Sequence, residues 1–348
     1  MPPRVTITDI AREAGVSKTA VSLALNDKPG VSEDTRMRVR EVAGRLAWRP
    51  HYAARALSRS RTGAFGMALA RSAETVGAES FFMSLFAGIE RRLADHDRAL
   101  LLQLVDDPAH ETQVVEQWAG EHRVDGVMLI DLRLEDPRIP ALARLDLPTA
   151  AIAPEPLGRG ISTLVTDDCG RMRLLLEHLL AQGHRSIRYL SGPEEFLHVR
   201  NRTAAFRRML AEAGGRAQVR VTDYSVRAAR ALAAEFAEEG VREPERRPTA
   251  VVCDNDLLAV RLMVELPHVG VRVPRDLAVA AMEDSLLCTL TSPPVTALGR
   301  DIAADGSRLV DLLAQSVEGP AVDAAAGPST VLVRESTAQR PQEVTAGR

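Results

Sequence analysis

Cysteine is scarce in this chain: Cys169, Cys253 and Cys288 are odd in number, and no two of them form a CxxC pair. That pattern excludes a disulfide framework and a zinc knot and marks the thiols as small buried hydrophobes. No apolar run approaches the roughly 18 residues that a membrane span needs. The charged opening MPPRVTITDIAREAG also lacks the apolar centre of a secretory signal. A cytoplasmic protein with no membrane partner is expected. Signatures of catalysis are missing too: there is no GxSxG, no GxGxxG after a first strand, no phosphate loop and no HExxH, and the acids and histidines show no metal-ligand spacing. The expectation is therefore a chain that is not an enzyme and uses no cofactor and no metal.

What is present is ordinary globular composition, with 348 residues leaving room for more than one domain. The net charge of −3 hides a division at Thr62. Residues 1–62 hold 12 Lys and Arg against 6 Asp and Glu, and the rest holds 32 against 41, so a head of +6 sits on a body of −9. A basic module on an acidic body suits nucleic-acid binding, because phosphate neutralisation supplies most non-specific affinity.

In the head, Thr6 and Asp9 form a capping box, and Ile7, Ile10, Ala11 and Ala14 fall on one helical face. Gly15 supplies a left-handed stop, Val16 is the buried residue of a short turn, and Ser17 caps a second helix with Ala20, Val21 and Ala24 inward. Ser17, Lys18, Thr19, Ser22 and Leu23 then project outward, placed for a major groove. A third helix begins at Ser32, with Val39, Val42, Ala43 and Leu46 as its core stripe. Arg49 and Pro50 break it, and residues 51–59 can form one further helix too short to be stable alone.

From Gly63 onward, short apolar runs alternate with amphipathic helices, the pattern of βαβ units and parallel sheets. Candidate strands are AFGMALA, ALLLQLV, DGVMLID and PTAAIA in one lobe, and SIRYLSG, AQVRVTD, TAVVCDN and LAVAAME in a second. Helices are expected between them, for example at 82–95, 172–181, 202–213 and 257–266. Two doubly wound lobes leave a cleft at the carboxyl ends of their strands.

The unbroken string from Val5 to Leu57, with its AGVS turn, TAVS stretch, VSEDTR helix start and closing AARAL, closely resembles the headpiece of the LacI/GalR repressor family. Signposts farther on resemble that family's cores, which share the periplasmic sugar-binding-protein fold: SFF, RVDGVML, EHLLAQGHRSIRYLSGP, NRTAAF, TAVVCDNDLLAV, GVRVPRDLAVAAMEDS and SPPVTAL. The fold class implied is an all-α helix-turn-helix headpiece on an α/β core of two doubly wound, parallel-sheet lobes. The expected domains are 1–48 for DNA binding, 49–62 as hinge and linker, 63–338 as effector-binding and dimerisation core, and 339–348 as a polar tail. Within the core, one lobe is expected over about 63–163 plus 293–321, the other over 164–292 plus 322–338.

The resemblance implies a sequence-specific transcriptional regulator, a homodimer on a nearly palindromic duplex operator, controlled by a small-molecule effector of sugar or nucleoside class. Matching positions make Lys18, Thr19 and Leu23 the base readers and set Thr6, Ser17, Ser22, Asn26 and Ser32 against phosphates. The family usually has a polar residue where Leu23 stands, which implies methyl contact or little readout there. Paired hinge helices with Ala54 and Leu57 are expected to form on the operator, Leu57 wedging into the minor groove. For the effector, the resemblance points to Arg202 as a forked grip, Tyr224 as a stacking face, Phe81 and Phe82 as an aromatic wall, and Glu283 and Asn255 as polar contacts. Glu283 stands where the family carries aspartate, and Asn255 is equally suited to capping the next helix. Pro154 occupies a place where relatives offer an acidic or aromatic contact, a departure that weighs against a plain sugar.

Overall fold

A computed structural model describes residues 5–48, 61–242 and 247–338. The chain divides after Thr62 into two compact units. The expected hinge, with Ala54 and Leu57, lies outside the described residues except for Arg61 and Thr62, as does the expected tail.

The amino-terminal unit is three helices: α1 (Ile7–Ala14), α2 (Lys18–Leu25) and α3 (Glu33–Arg45). Asp9 reaches back to accept from the Thr6 amide at 2.9 Å, which starts α1, and Gly15 ends it in the left-handed region at φ 67°. Ser17 Oγ and Ser32 Oγ each accept an amide at their helix starts, from Ala20 at 3.1 Å and Thr35 at 3.3 Å. The apolar stripes meet in one small core of Ile10, Ala11, Ala14, Val21, Ala24, Val39, Val42 and Ala43.

In the second unit the described elements run β1 (Ala64–Leu69), α4 (Ala73–Ala78), α5 (Ser80–Asp95), β2 (Ala99–Leu104), α6 (Pro108–Gly120), β3 (Gly126–Leu129), α7 (Arg138–Leu145), β4 (Thr149–Ala153) and β5 (Ile161–Val165). They continue with α8 (Asp168–Ala181), β6 (Ser186–Ser191), α9 (Leu197–Glu212), β7 (Arg216–Val221), α10 (Val226–Arg242), β8 (Ala250–Cys253), α11 (Asp256–Glu265) and β9 (Ala278–Ala281). The last are α12 (Leu286–Leu290), β10 (Thr296–Gly299), α13 (Ile302–Glu318), β11 (Asp323–Ala325) and β12 (Thr330–Leu332). Two six-stranded sheets result, in the orders β11-β5-β4-β3-β1-β2 and β12-β10-β9-β8-β6-β7. Among the described strands every pairing is parallel except β10 with β12. The central strands β3, β8 and β9 are buried along their whole length, which is why they read as unbroken apolar runs, whereas the edge strands β2 and β7 are partly exposed.

The expected lobe boundaries need correction. Residues 293–321 were expected in the first lobe, yet β10 lies in the second sheet; residues 322–338 were expected in the second, yet β11 pairs with β5 in the first. The chain crosses between lobes near 166, near 300 and again between β11 and β12. The reason is packing: α13 is the partner of α5 under the first sheet. A Cβ at Gly88 would fall 1.9 Å from Ala303 O and one at Gly306 2.5 Å from Leu85 O, so the two backbones touch. That contact draws 302–318 back while β10 stays beside β9. The three-residue strand DAA carries no alternation that would reveal it.

Candidate functional site

On the amino-terminal unit, Thr6, Ser17, Lys18, Thr19, Ser22, Asn26 and Ser32 are all exposed. Val21 and Ala24 face the core, so α2 turns Lys18, Thr19 and Ser22 outward. The Ser17 oxygen is occupied as a cap acceptor, which leaves its proton for a further acceptor such as a phosphate. Asn26 Nδ2 donates to Ser22 O at 2.9 Å, so these two residues are fixed together. Leu23 differs from expectation: it is half-buried, and a Cβ at Gly30 would meet its Cδ1 at 3.1 Å. Its packing pins the loop after α2 and leaves only part of the side chain for a groove. Sequence reading missed Arg36, whose guanidinium donates to Asp27 Oδ1 at 3.1 Å and Lys28 O at 3.2 Å and holds that loop against α3.

In the second unit a cleft opens between the two sheets at the carboxyl ends of their strands. All six expected effector residues line it: Phe81, Phe82, Arg202, Tyr224, Asn255 and Glu283. Arg71 follows β1, Asp131 β3, Pro154 β4, Tyr224 β7, Asp254 β8 and Glu283 β9. Strand ends converge there because parallel strands all point the same way. The space open to water centres is about 80 Å³, room for a handful of waters at about 10–15 Å³ each. Two bonds link the lobes beside it, Leu197 N to Leu132 O at 2.8 Å and Ser80 Oγ to Asp256 Oδ2 at 2.7 Å.

Arg202 is at the centre. It was expected to open a helix over 202–213, but it lies inside α9, which begins five residues earlier at Leu197. From the first turns of that helix its Nε donates to Asp168 Oδ1 at 3.1 Å and its Nη1 to Asp254 Oδ1 at 2.9 Å. Burial would lower its pKa, but the charges of Asp254 and Asp168 override that and raise it. The Asp254 carboxyl also accepts from the hydroxyls of Tyr189 and Tyr224. Burial would raise its pKa; Arg202 first, then His198 and the two tyrosines, hold it below the ordinary value.

Tyr224 is therefore held at its hydroxyl end, and its backbone at φ 59° is left-handed, unusual for an aromatic residue. Gly192 makes room for it: a Cβ there would fall 1.7 Å from Tyr224 Oη. Asn255 does cap α11, its Oδ1 accepting from the Leu258 amide at 2.8 Å, while its buried Nδ2 has no partner among the described residues. Glu283 accepts from Arg300 at 2.6 Å, and Arg300 lies over the Phe81 ring at 5.3 Å. Phe82 is core, and Phe81 is the half-buried ring of the pair.

Sequence reading missed Arg71, Glu79, Asp131, Asp168, Arg171, His198, Asp254 and Arg300, all lining the cleft. Arg71 donates to Asp131 Oδ2 at 2.7 Å. Desolvation raises the Glu79 carboxyl to about 8, Arg71 offsetting only part of it, and lowers His198, with Arg202 adding to the effect. The one signal available for these residues was position directly after a strand, which Arg71, Asp131 and Asp254 share.

Residues 6–51 match the family model described as bacterial regulatory proteins, lacI family, and residues 176–337 match that of the periplasmic binding protein-like domain. The chain is 28% identical to the HTH-type transcriptional repressor PurR of Vibrio parahaemolyticus serotype O3:K6, over 90% of this chain and 92% of that one. The crystal structure of a LacI family transcriptional regulator from Bifidobacterium animalis subsp. lactis superposes with a TM-score of 0.73 at 30% identity, covering 81% of this chain and all of that one. The structure of a transcriptional regulator CelR–cellobiose complex gives 0.70 at 25% identity, covering 96% of this chain and all of that one.

Proposed function

Since the chain belongs to the LacI family of bacterial regulatory proteins, we propose that it regulates transcription by gripping a duplex operator with residues 1–62 and loosening or tightening that grip as a small molecule fills the cleft of residues 63–338. The observation that carries this reading is the pairing in one chain of an exposed polar face on α2 with a cleft of charged side chains at converging strand ends. A protein that only held DNA would have no use for the second. Lys18 and Thr19 read base edges, Ser17, Ser22, Asn26 and Ser32 contact phosphates, and Ala54 and Leu57 supply the minor-groove contact.

The active form is a homodimer. Support comes from apolar side chains left open on the second unit, Leu286 at 73% and Leu290 at 70% exposure on α12, with Met83 on α5 and Val264 on α11. A two-fold dimer reads a nearly palindromic site. The reading predicts no catalytic turnover.

Affinity selection of the full chain on random duplexes tests the proposal. An enriched, nearly palindromic sequence is expected, with binding that weakens steeply as salt rises and with Leu57→Ala more than tenfold weaker in fluorescence anisotropy. Failure to enrich any sequence would refute it.

A further inference from the structure

The cleft's charges are not evenly matched. Asp131 has Arg71, Glu283 has Arg300, and Asp168 and Asp254 share Arg202. One guanidinium remains. Arg171, in the first turn of α8, is 5% exposed and lines the cleft, and among the described residues its side chain makes no hydrogen bond. Its one ion-pair approach, to Asp168 Oδ1, is 4.0 Å, and that oxygen already accepts from Arg202 at 3.1 Å while Oδ2 accepts from Thr166 at 3.2 Å. Desolvation brings Arg171 down to about 10, and the repulsion of Arg300 counts for more than the attraction of Asp168. A buried cation without a hydrogen-bonding acceptor is costly, and protein interiors ordinarily avoid one. Asn255 Nδ2, buried in the same lining, is a second donor without an acceptor among the described residues.

We propose that the cleft receives a small ligand with one anionic head, a carboxylate or a phosphate, seated on the Arg171 guanidinium, with an oxygen of the same ligand accepting from Asn255. The proposal rests on the cleft being the effector site and names the effector's charge class. A planar guanidinium donates two parallel bonds to such a group, which a neutral sugar cannot accept with equal strength. Five acids around the cleft do not oppose this. Four are engaged by Arg71, Arg202 and Arg300, and Glu79, pushed up to about 8, is mostly protonated at neutral pH and acts as a further donor.

The test uses the full chain and its Arg171→Gln and Arg171→Lys variants, with thermal shift and calorimetric titration at constant ionic strength. The probes are glucuronate, glucose 6-phosphate and neutral glucose, with inorganic phosphate and acetate as minimal heads. Expected results are stabilisation of wild type by phosphate or acetate beyond that by chloride, and binding of one acidic sugar at least tenfold tighter than glucose. Arg171→Gln loses that preference at least tenfold, and Arg171→Lys keeps part of it. A glucuronate preference assigns the carboxylate, a glucose 6-phosphate preference the phosphate. Without anion, Arg171→Gln melts no lower than wild type, because desolvation and the repulsion of Arg300 outweigh the 4.0 Å approach to Asp168. Equal responses of wild type and Arg171→Gln to phosphate and acetate, or glucose binding as tightly as its acids, overturn the proposal. Operator binding in the same samples without sugar is scored separately, since its loss would sink the regulatory reading and leave the anion result standing.

Discussion

Replacing Arg202 with methionine, similar in length and without charge, should unsettle the second unit more than any other single change in the cleft. Arg202 satisfies two carboxylates, Asp168 and Asp254, which are 3% and 2% exposed. Its loss leaves Asp254 buried without its cation and Asp168 with only Arg171 at 4.0 Å, and breaking a buried pair costs about 3–5 kcal/mol. At about 2.1 cal/mol/K of unfolding entropy per residue, a unit of this size then melts roughly 5–8 °C lower. The pH dependence carries the sharper test. In wild type the Asp254 pKa is held below its unfolded value, so its contribution is present above pH 4 and lost as pH falls further. In Arg202→Met the same carboxyl titrates above its unfolded value, and the variant loses stability as pH rises. The gap between the two proteins therefore widens from pH 5 to pH 8. Urea unfolding at both pH values measures it. A gap under 1 kcal/mol, or one that is the same at pH 5 and pH 8, would refute the idea that Arg202 is there to hold two acids.

Glu79 gives an opposite slope within wild type. Its folded value of about 8 exceeds the ordinary 4.5, so folding retains a proton and stability falls by about 2–4 kcal/mol as pH rises from 5 to 8. The charges facing it are Arg71, Asp131, Asp254 and Glu283, and Glu79→Gln should remove its share of the slope in urea titrations from pH 5 to 9. Gly192→Ala pushes a methyl into Tyr224 Oη, breaks the bond to Asp254 and should cost about 1–3 kcal/mol in the same assay. An unchanged midpoint would mean that Tyr224 is not seated on that glycine. Lys18→Ala should weaken operator binding and relax base preference at one position by about 1–3 kcal/mol while the melting of the second unit stays put; anisotropy on single-base operator variants checks both.

Local chemistry made the head legible. Caps at Thr6, Ser17 and Ser32, the Gly15 stop and the apolar stripes are each decided within a few residues, and the three helices formed where that chemistry put them. Leu23 is the exception, because its half-burial depends on Gly30 in the following loop. The eight candidate strands of the second unit appear in place, six of them for a similar reason, since parallel buried strands read as apolar runs, while the edge strands β2 and β7 are partly exposed. Helix starts were less visible. α9 begins at Leu197, five residues before the expected start at 202, and Arg202 thereby moved from the edge of a helix to its second turn.

The sequence alone decided the three helices of the head and eight strands of the second unit, that a basic head joins an acidic body, and which family patterns the two carry, because caps, periodicity and composition act along the chain. Tertiary structure alone decided the rest: that β10 and β11 exchange lobes, that α13 lies on α5 through Gly88 and Gly306, and that Arg202 serves Asp168 and Asp254 while Arg171 is left without a close acceptor. Those are distances between residues far apart in sequence. No local rule sets them, since the energy of a buried charge depends on what the fold brings within hydrogen-bond reach.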